Sequence, residues 1–147
     1  MKIRDEIQIR PYQSADRDNI INLWADCNLV VPQNNPYRDI ERKLKVNPEW
    51  FLVGFYQNKL IATCMIGYEG HRGWINYLAV APAYRRQGIG ARMMEEAERI
   101  LKKAGCAKIN LQVRETNKDV VQFYESIGYR VEPMVNMGKR LVYDEPE

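Results

Sequence analysis

Histidine, cysteine and long apolar segments are all scarce in this chain of 147 residues. The single histidine, His71, and the scattered cysteines Cys27, Cys64 and Cys106 lack the paired spacing of zinc ligands or of a disulfide framework. We therefore expect no metal, and free, buried thiols. No apolar run approaches the roughly 20 residues that span a bilayer, and the N-terminus carries acids where a signal peptide needs an apolar core. The sequence predicts a cytoplasmic protein without a membrane partner.

Charge is nearly balanced, with 22 lysines and arginines against 19 aspartates and glutamates and a formal net charge of +3. A dedicated nucleic-acid-binding protein needs a strongly basic face, so we expect no nucleic-acid partner. The hydrophobic content of 46% suffices for the core of a single domain over residues 1–147. The sequence is compatible with a monomer and with a homodimer.

Alternating β-rich and helical patterns predict an α/β domain in the order β-α-α-β-β-β-α-β-α-β-β. We expect a mixed, mostly antiparallel sheet of about seven strands with helices on both faces. Strands are predicted near Ile7 and Ile9 and over residues 50–56, 60–68, 74–81, 109–113, 129–132 and 135–143. Helices are predicted after Ser14, over residues 38–46, from Ile89 to a cap at Gly105 and from Asn117 to a cap at Gly128. Residues 144–147 are expected to form a frayed acidic tail.

Residues 78–90 read Leu-Ala-Val-Ala-Pro-Ala-Tyr-Arg-Arg-Gln-Gly-Ile-Gly, an apolar strand followed by a basic turn at the start of a helix. Gly88 and Gly90 lack a Cβ, so a phosphate can approach the backbone N–H groups, and the helix dipole points its positive end there. Arg85 and Arg86 add side-chain donors that match phosphate oxygens. The turn predicts a phosphate-bearing ligand, although two glycines at such a turn also occur for structural reasons alone.

Residues 117–129 read Asn-Lys-Asp-Val-Val-Gln-Phe-Tyr-Glu-Ser-Ile-Gly-Tyr, a short helix between an N-cap asparagine and a terminating glycine. Together with the turn, and in this order, the segment resembles the GCN5-related N-acetyltransferase (GNAT) family, which carries an R-x-x-G-x-G/A turn and then N-x(6)-Y-x(3)-G-[FY]. The resemblance extends from about residue 7 onward and is greatest to small bacterial members of the YpeA type. It implies the GNAT fold and an acetyl-CoA-dependent N-acetyltransferase.

The resemblance also implies how acetyl-CoA is held. In the family, the backbone of the strand matching Leu78, Ala79 and Val80 pairs with the pantetheine arm, and the turn receives the pyrophosphate. The cofactor-binding residues implied in this way are Leu78, Ala79, Val80, Arg85, Arg86, Gln87, Gly88, Ile89, Gly90, Ala91 and Asn117. The side chains of Leu78 and Val80 are expected in the core in either case, and Asn117 would also serve as an N-cap.

Tyr124 matches the tyrosine that protonates the departing thiolate in many family members. The ordinary pKa of tyrosine, about 10, is close enough to that of an alkyl thiol, about 8.5, for this transfer to be nearly balanced. The structural alternative is a core aromatic, because Val120, Tyr124 and Ile127 share one helical stripe. We favour the catalytic role, since Asn117 and Gly128 flank Tyr124 at the family's spacing.

The sequence offers no ordinary general base. Gln112 stands where some family members carry a glutamate, and a neutral amide does not accept the proton. The remaining candidates are unsuited or misplaced: Trp74, Asn76 and Tyr77 on the strand before Leu78, and Glu69, His71 and Glu115 in turns or at a strand end. A water chain, or an acceptor that is already partly neutral, stays open.

The proline-broken segment at residues 30–37 is expected to border the acceptor site, because such irregular segments in compact domains are usually functional. Candidate contacts, which could equally serve to fold the segment, are Trp24, Asn34, Asn35, Tyr37 and Arg38. Two interpretations stay open. One is direct acetyl transfer to a small-molecule or peptide amine in a ternary complex, and the other is a non-catalytic acyl-CoA-binding module.

Overall fold

The computed structural model describes residues 2–144, which contain one sheet of five strands in the order β1-β2-β3-β4-β5. The strands are β1 (Gln8–Pro11), β2 (Phe51–Tyr56), β3 (Lys59–Tyr68), β4 (Gly73–Val80) and β5 (Ile109–Leu111). Neighbouring strands are antiparallel except β4 and β5, which are parallel. The β2–β3 hairpin is tight because Gln57 and Asn58 both adopt positive φ, as a two-residue turn requires. The predicted mixed, mostly antiparallel sheet is confirmed with fewer strands.

Four α-helices cover the two faces of the sheet within residues 2–144: α1 (Arg17–Asp26), α2 (Pro36–Lys43), α3 (Ile89–Lys103) and α4 (Lys118–Ser126). On one face, α3 buries Met93, Met94 and Ala97 against β3 and β4. On the other face, α1 and α2 bury Ile20, Trp24 and Ile40 against the same strands. The two apolar clusters are the reason that β3, which lies between them, is almost fully buried.

Helix α2 begins two residues before its predicted start at residue 38. The Asn35 side chain accepts a hydrogen bond from the backbone N–H of Tyr37 at 2.9 Å, which caps the helix. Pro36 takes the first helical position, where the missing N–H costs nothing because no intrahelical acceptor is available there. The segment that the sequence presents as a loop through residue 37 therefore ends at Asn35.

The two predicted C-terminal strands, over residues 129–132 and 135–143, are wrong. No strand follows β5 in the described residues. The apolar side chains that suggested strands meet no second layer, and Val135 and Met137 are each 88% exposed. Side chains hold the segment instead: Glu132 accepts from Lys108 at 2.5 Å and from Asn110 at 2.7 Å.

Asp144 is also more ordered than the expected frayed tail. Its carboxylate accepts from Arg42 at 2.5 Å and from the backbone N–H of Asn35 at 3.1 Å. The remaining residues of that tail, 145–147, lie outside the described residues. Over residues 2–144, no helix combines the length and the apolar character that a membrane span requires.

Candidate active site

Strand β4 contains a bulge next to the centre of the sheet. Cys64 on β3 faces both Tyr77 and Leu78, because the flanking pairs are Thr63 with Ala79 and Met65 with Asn76. Tyr77 takes φ of 51°, a left-handed conformation that costs a non-glycine residue on the order of 1–3 kcal/mol. Such strain persists only where the surroundings enforce it, and it concentrates at functional sites.

Strands β4 and β5 part at this bulge. Their parallel ladder runs only from Gly73 to Ile75 on β4, so the edge of β4 beyond Ile75 has no strand beside it among the described residues. On its other side, β4 bonds β3, with the Ala81 N–H donating to the Ile61 carbonyl at 2.8 Å. Because bonded pairs alternate in an antiparallel ladder, the N–H and C=O of Val80 point away from β3 and into the gap. The gap can therefore accept an extended ligand that bonds like a strand.

The basic turn follows directly, at the N-terminus of α3. Gly88 has φ of 79°, a value that favours glycine, and it is the N-cap of the helix. The first α-helical bond runs from the N–H of Arg92 to the carbonyl of Gly88 at 3.0 Å. The N–H groups of Ile89, Gly90 and Ala91 therefore precede the intrahelical ladder and are donors suited to an anion.

The two turn arginines are placed differently from each other. Arg85 donates from Nε to the Val80 carbonyl at 3.2 Å, so its side chain folds back over the gap. Arg86 is exposed and has φ of 62°. A ligand strand that pairs with Val80 would displace the Arg85 side chain, which would then be free to meet the ligand's phosphates.

Arg4 is a third cation at the turn, and sequence reasoning missed it. Its Cδ would lie 3.0 Å from a Cβ on Gly88, so the side chain packs directly on the turn. Glu95 on α3 accepts from Arg4 Nη2 at 2.6 Å and holds it there. No motif marks Arg4, because it reaches the turn from a short 3₁₀ helix (Ile3–Glu6) that is far from the turn in sequence.

Asn117 and Tyr124 occupy α4 as predicted. The Asn117 side chain caps the helix by accepting from the N–H of Val120 at 3.4 Å. Tyr124 is only 8% exposed and packs edge-on against Phe123 and Tyr129. Within the described residues its hydroxyl makes no hydrogen bond, whereas the neighbouring Tyr129 hydroxyl donates to Glu98 at 2.7 Å.

Burial, and to a lesser extent the nearby Cys64 thiol, raises the pKa of Tyr124 above its ordinary value of 10.0. The hydroxyl is thus fully protonated at neutral pH, as a proton donor must be. The same burial raises the pKa of the Cys64 thiol to about 12.

On the face of the sheet that α1 and α2 cover, the bulge carries the hydroxyl of Tyr77. Tyr77 stacks on Trp24 with ring centroids 3.8 Å apart, and its hydroxyl donates to Asp39 Oδ2 at 2.5 Å. The Tyr77 carbonyl accepts from Thr63 Oγ1 at 2.8 Å, and Thr63 accepts from Trp24 Nε1 at 3.0 Å. Ring, hydroxyl and carbonyl are therefore all fixed, which explains how the left-handed backbone at Tyr77 is maintained.

Asp39 is connected onward to the C-terminal segment. Arg42 donates to Asp39 Oδ1 at 3.3 Å and to both carboxylate oxygens of Asp144. The Arg42 bonds are the main reason that the pKa of Asp144 falls to about 2. Arg42 and residues 138–142 also line an open cavity of about 550 Å³.

The comparisons with known proteins agree with this geometry. The model of the acetyltransferase (GNAT) family matches residues 17–129. The chain belongs to the GNAT family. An acetyltransferase of Yersinia enterocolitica is 40% identical to this GNAT enzyme over 139 residues, which make up 95% of this chain and 99% of the relative.

Solved GNAT structures share the fold. Ard1 from Thermoplasma volcanium gives a TM-score of 0.78 at 18% identity, over 86% of this chain and 84% of that one. An aminoglycoside acetyltransferase from an uncultured soil metagenomic sample, in complex with trehalose, gives 0.72 at 20% identity, over 96% and 99%. The resemblance inferred from the two motifs is confirmed, and the chain is an N-acetyltransferase of the GNAT type, a family that uses acetyl-CoA.

Several residues of this GNAT enzyme that the sequence suggests as contacts of the acceptor amine have partners within the protein. Trp24 is fully buried and supports Tyr77, and Arg38 pairs with Glu41 on the exposed side of α2 at 3.1 Å. Asn34 is bonded by Arg140, while Arg17 covers the Tyr37 ring. These residues organise the segment between α1 and α2 rather than standing free beside β4.

The other base candidates are also accounted for. Glu69 accepts from the backbone N–H of His71 and of Arg72, both at 2.6 Å, so it closes an exposed turn. Gln112 is exposed and donates to Asn136. In the described residues no group of three or more His, Cys, Asp or Glu side chains is arranged to hold a metal ion.

Proposed function

We propose that this protein transfers the acetyl group of acetyl-CoA to an amine by direct attack within a ternary complex. The observation that carries the proposal is the parting of β4 from β5 at the Tyr77 bulge, immediately before the anion-binding turn. Pantetheine is an extended chain with amide groups and is joined to a pyrophosphate. A gap edged by outward-facing backbone groups, of which the Val80 carbonyl accepts from Arg85 and Cys27 until a ligand takes their place, and followed by helix N–H donors, matches both parts in the right order.

Binding would use backbone groups more than side chains. The outward N–H and C=O of Val80 would pair with the pantetheine amides, with Leu78 and Ala79 before it on the same strand, where the backbone of Ala79 bonds β3 instead. The N–H groups from Gln87 through Ala91 would receive the pyrophosphate, with Arg4, Arg85 and Arg86 around it. Asn117 lies at the N-terminus of α4, whose Phe123 contacts Gly90 across the turn.

Catalysis requires the amine to attack the thioester carbonyl while the leaving sulfur receives a proton. The thioester supplies the activated acetyl group. Tyr124 would provide the proton, because its hydroxyl is protonated and has no hydrogen bond to another described residue. Excluding water from this pocket would also prevent loss of the acetyl group by hydrolysis.

The acceptor would enter from the α1–α2 side, where Tyr77, Asp39 and the cavity beside Arg42 lie. Its chemistry is that of a small-molecule or peptide amine. We further expect the protein to act in the cytoplasm, without a nucleic-acid or membrane partner.

The deciding experiment is incubation with acetyl-CoA and a panel of amines, amino acids and peptides, followed by mass spectrometry of the acceptors and measurement of released CoA. Transfer to an amine nitrogen, with one CoA released per acetyl group, is the expected result. Tight binding of acetyl-CoA without transfer to any acceptor would favour the non-catalytic acyl-CoA-binding module instead. Absence of binding would contradict both.

A further inference from the structure

We propose that Tyr77 passes the proton of the attacking amine to Asp39, so that Asp39 is the final proton acceptor of the transfer reaction. This inference rests on the proposed function and supplies the base that the sequence does not reveal. It follows from the hydroxyl–carboxylate bond at the bulge, where β4 leaves β5 and where the reacting carbonyl would lie.

The Tyr77 hydroxyl is held in one position at the bulge. Tyr77 is itself the strained residue of the bulge, and four contacts fix its orientation: the stack on Trp24, the bond from Thr63 to its carbonyl, the flanking β3 ladder and the bond to Asp39. A core tyrosine does not need a left-handed backbone. The strain is explained if the hydroxyl has to be held at a particular place beside the gap.

The environment of Asp39 suits a proton acceptor. Its side chain is 23% exposed, so a proton received from Tyr77 can pass on to solvent. Asp39 is bonded by Tyr77 from β4 and by Arg42 from α2, and Asp144 from the C-terminal segment is bonded by the same Arg42 and acts on Tyr77. Arg42 uses Oδ1 and leaves Oδ2 to Tyr77, so the carboxylate is oriented with one oxygen dedicated to the hydroxyl. Arg140 adds a further positive charge near Asp144.

The sheet separates the two tyrosines. Tyr124 and Cys64 belong to the apolar cluster on the α3 face, whereas Tyr77 packs into the cluster on the α1–α2 face. Cys64 is the β3 residue opposite the bulge. Tyr124, the proposed proton donor for the thiolate, thus lies on the α3 face of the sheet. The Tyr77 hydroxyl, which is bonded to the Asp39 carboxylate, lies on the α1–α2 face. An acyl transfer that loses a proton at nitrogen and gains one at sulfur needs this arrangement.

The proton transfers balance as follows. A bond forms between the amine nitrogen and the acetyl carbon, and the bond from that carbon to sulfur breaks. The nitrogen gives its proton to Tyr77 Oη as the Tyr77 proton moves to Asp39 Oδ2. Tyr124 gives its proton to the thiolate and regains one from water, and Asp39 releases one to water, so no net proton is created or consumed beyond those of the reactants.

The test compares Asp39→Asn and Tyr77→Phe with the wild type and with Glu41→Gln, a matched change of an exposed carboxylate on the same helix. Asparagine keeps an oxygen for the Tyr77 hydroxyl, and phenylalanine keeps the ring on Trp24, so both variants should fold. Initial rates are measured from pH 6 to pH 10 with the best amine of the panel. Acetyl-CoA affinity is measured by calorimetry.

We expect Asp39→Asn and Tyr77→Phe to lose about a hundredfold in kcat/KM at neutral pH with unchanged acetyl-CoA affinity, the usual scale for one proton-transfer group. The loss should shrink as pH rises, because hydroxide can then take the proton that the attacking nitrogen otherwise gives to Tyr77. A purely structural role would lower the rate without changing its pH profile, and that result would overturn the relay. The relay would also be overturned if Asp39→Asn and Tyr77→Phe had the same kcat/KM as Glu41→Gln. If the wild type binds acetyl-CoA but acetylates no amine of the panel, the proposed function fails together with the relay; loss of the rate in the two variants alone leaves the proposed function intact.

Discussion

The ring of Phe123 lies against Gly90, with its Cζ 3.1 Å from the position that a Cβ on Gly90 would occupy. This contact joins the anion-binding turn at the start of α3 to the helix that carries Tyr124. A side chain at residue 90 would therefore disturb both the phosphate site and the packing of α4. Gly88 differs. A Cβ added there meets only the Arg4 side chain, but any residue that replaces Gly88 must keep φ of 79°.

Gly90→Val should abolish the increase in Tm that acetyl-CoA gives the wild type, and should itself destabilise the fold by about 1–3 kcal/mol through overpacking against Phe123. Gly88→Ala should weaken binding too, with about 1–2 kcal/mol lost to backbone strain. Thermal unfolding with and without acetyl-CoA measures both effects. Gly67→Ala is the control, since a Cβ at Gly67 meets nothing within 4 Å. Unchanged binding in Gly90→Val would rule out the turn as the phosphate site.

Arg4→Ala should lower the affinity for CoA by about tenfold, the effect of one charge-assisted hydrogen bond to a phosphate at a partly exposed site. Calorimetry with CoA, dephospho-CoA and pantetheine would show which phosphate Arg4 meets, because the variant's loss should vanish for the ligand lacking that phosphate. Glu95→Gln is the matched control: it removes the negative charge beside Arg4 but keeps an amide oxygen that accepts from it, and the cation stays, so the affinity should not fall. Equal losses in the two variants would indicate that the pair only stabilises the fold.

Tyr124→Phe should reduce turnover about a hundredfold while leaving stability and acetyl-CoA affinity nearly unchanged. The wild-type hydroxyl makes no hydrogen bond to another described residue, so its removal breaks none. Tyr129→Phe should show the reverse pattern, since it loses a bond to the Glu98 carboxylate and about 1.5–3 kcal/mol of stability but no proton donor. Near-normal turnover in Tyr124→Phe would assign Tyr124 to the core.

The sequence predicted best those elements that are determined by residues close together in the chain. The turn at Gly88, the caps at Asn117 and Gly128 and the α3 stripe depend on nearby residues only. The Arg4 contact and the Tyr77–Asp39 bond depend on the fold, because they join residues far apart in the chain. The C-terminal segment misled the prediction because alternating apolar residues predict a strand only when there is a layer for them to cover.

Acid should weaken the attachment of the C-terminal segment to α2. Arg42 and the Asn35 N–H hold the pKa of Asp144 at about 2, below its ordinary value of 3.8. A carboxyl whose pKa is lowered by folding contributes stability above its unfolded pKa and loses it as pH falls through the folded value. The Tm advantage of wild type over Asp144→Asn should thus be largest at pH 5–6 and decrease steadily from about pH 4 downward. A constant difference over that range would show that the ion pair contributes nothing.

The uneven burial of the three cysteines determines how catalysis can be measured. Cys27 and Cys106 are partly exposed, whereas Cys64 is fully buried with a pKa of about 12. A colorimetric thiol reagent added to follow CoA release would react with the first two and would spare the third. The signal from these two cysteines reaches a fixed amount set by the protein concentration and then stops. The signal from the CoA thiol increases with each turnover. Replacing Cys27 and Cys106 by serine would remove the background and leave the thiol beside Tyr124 intact.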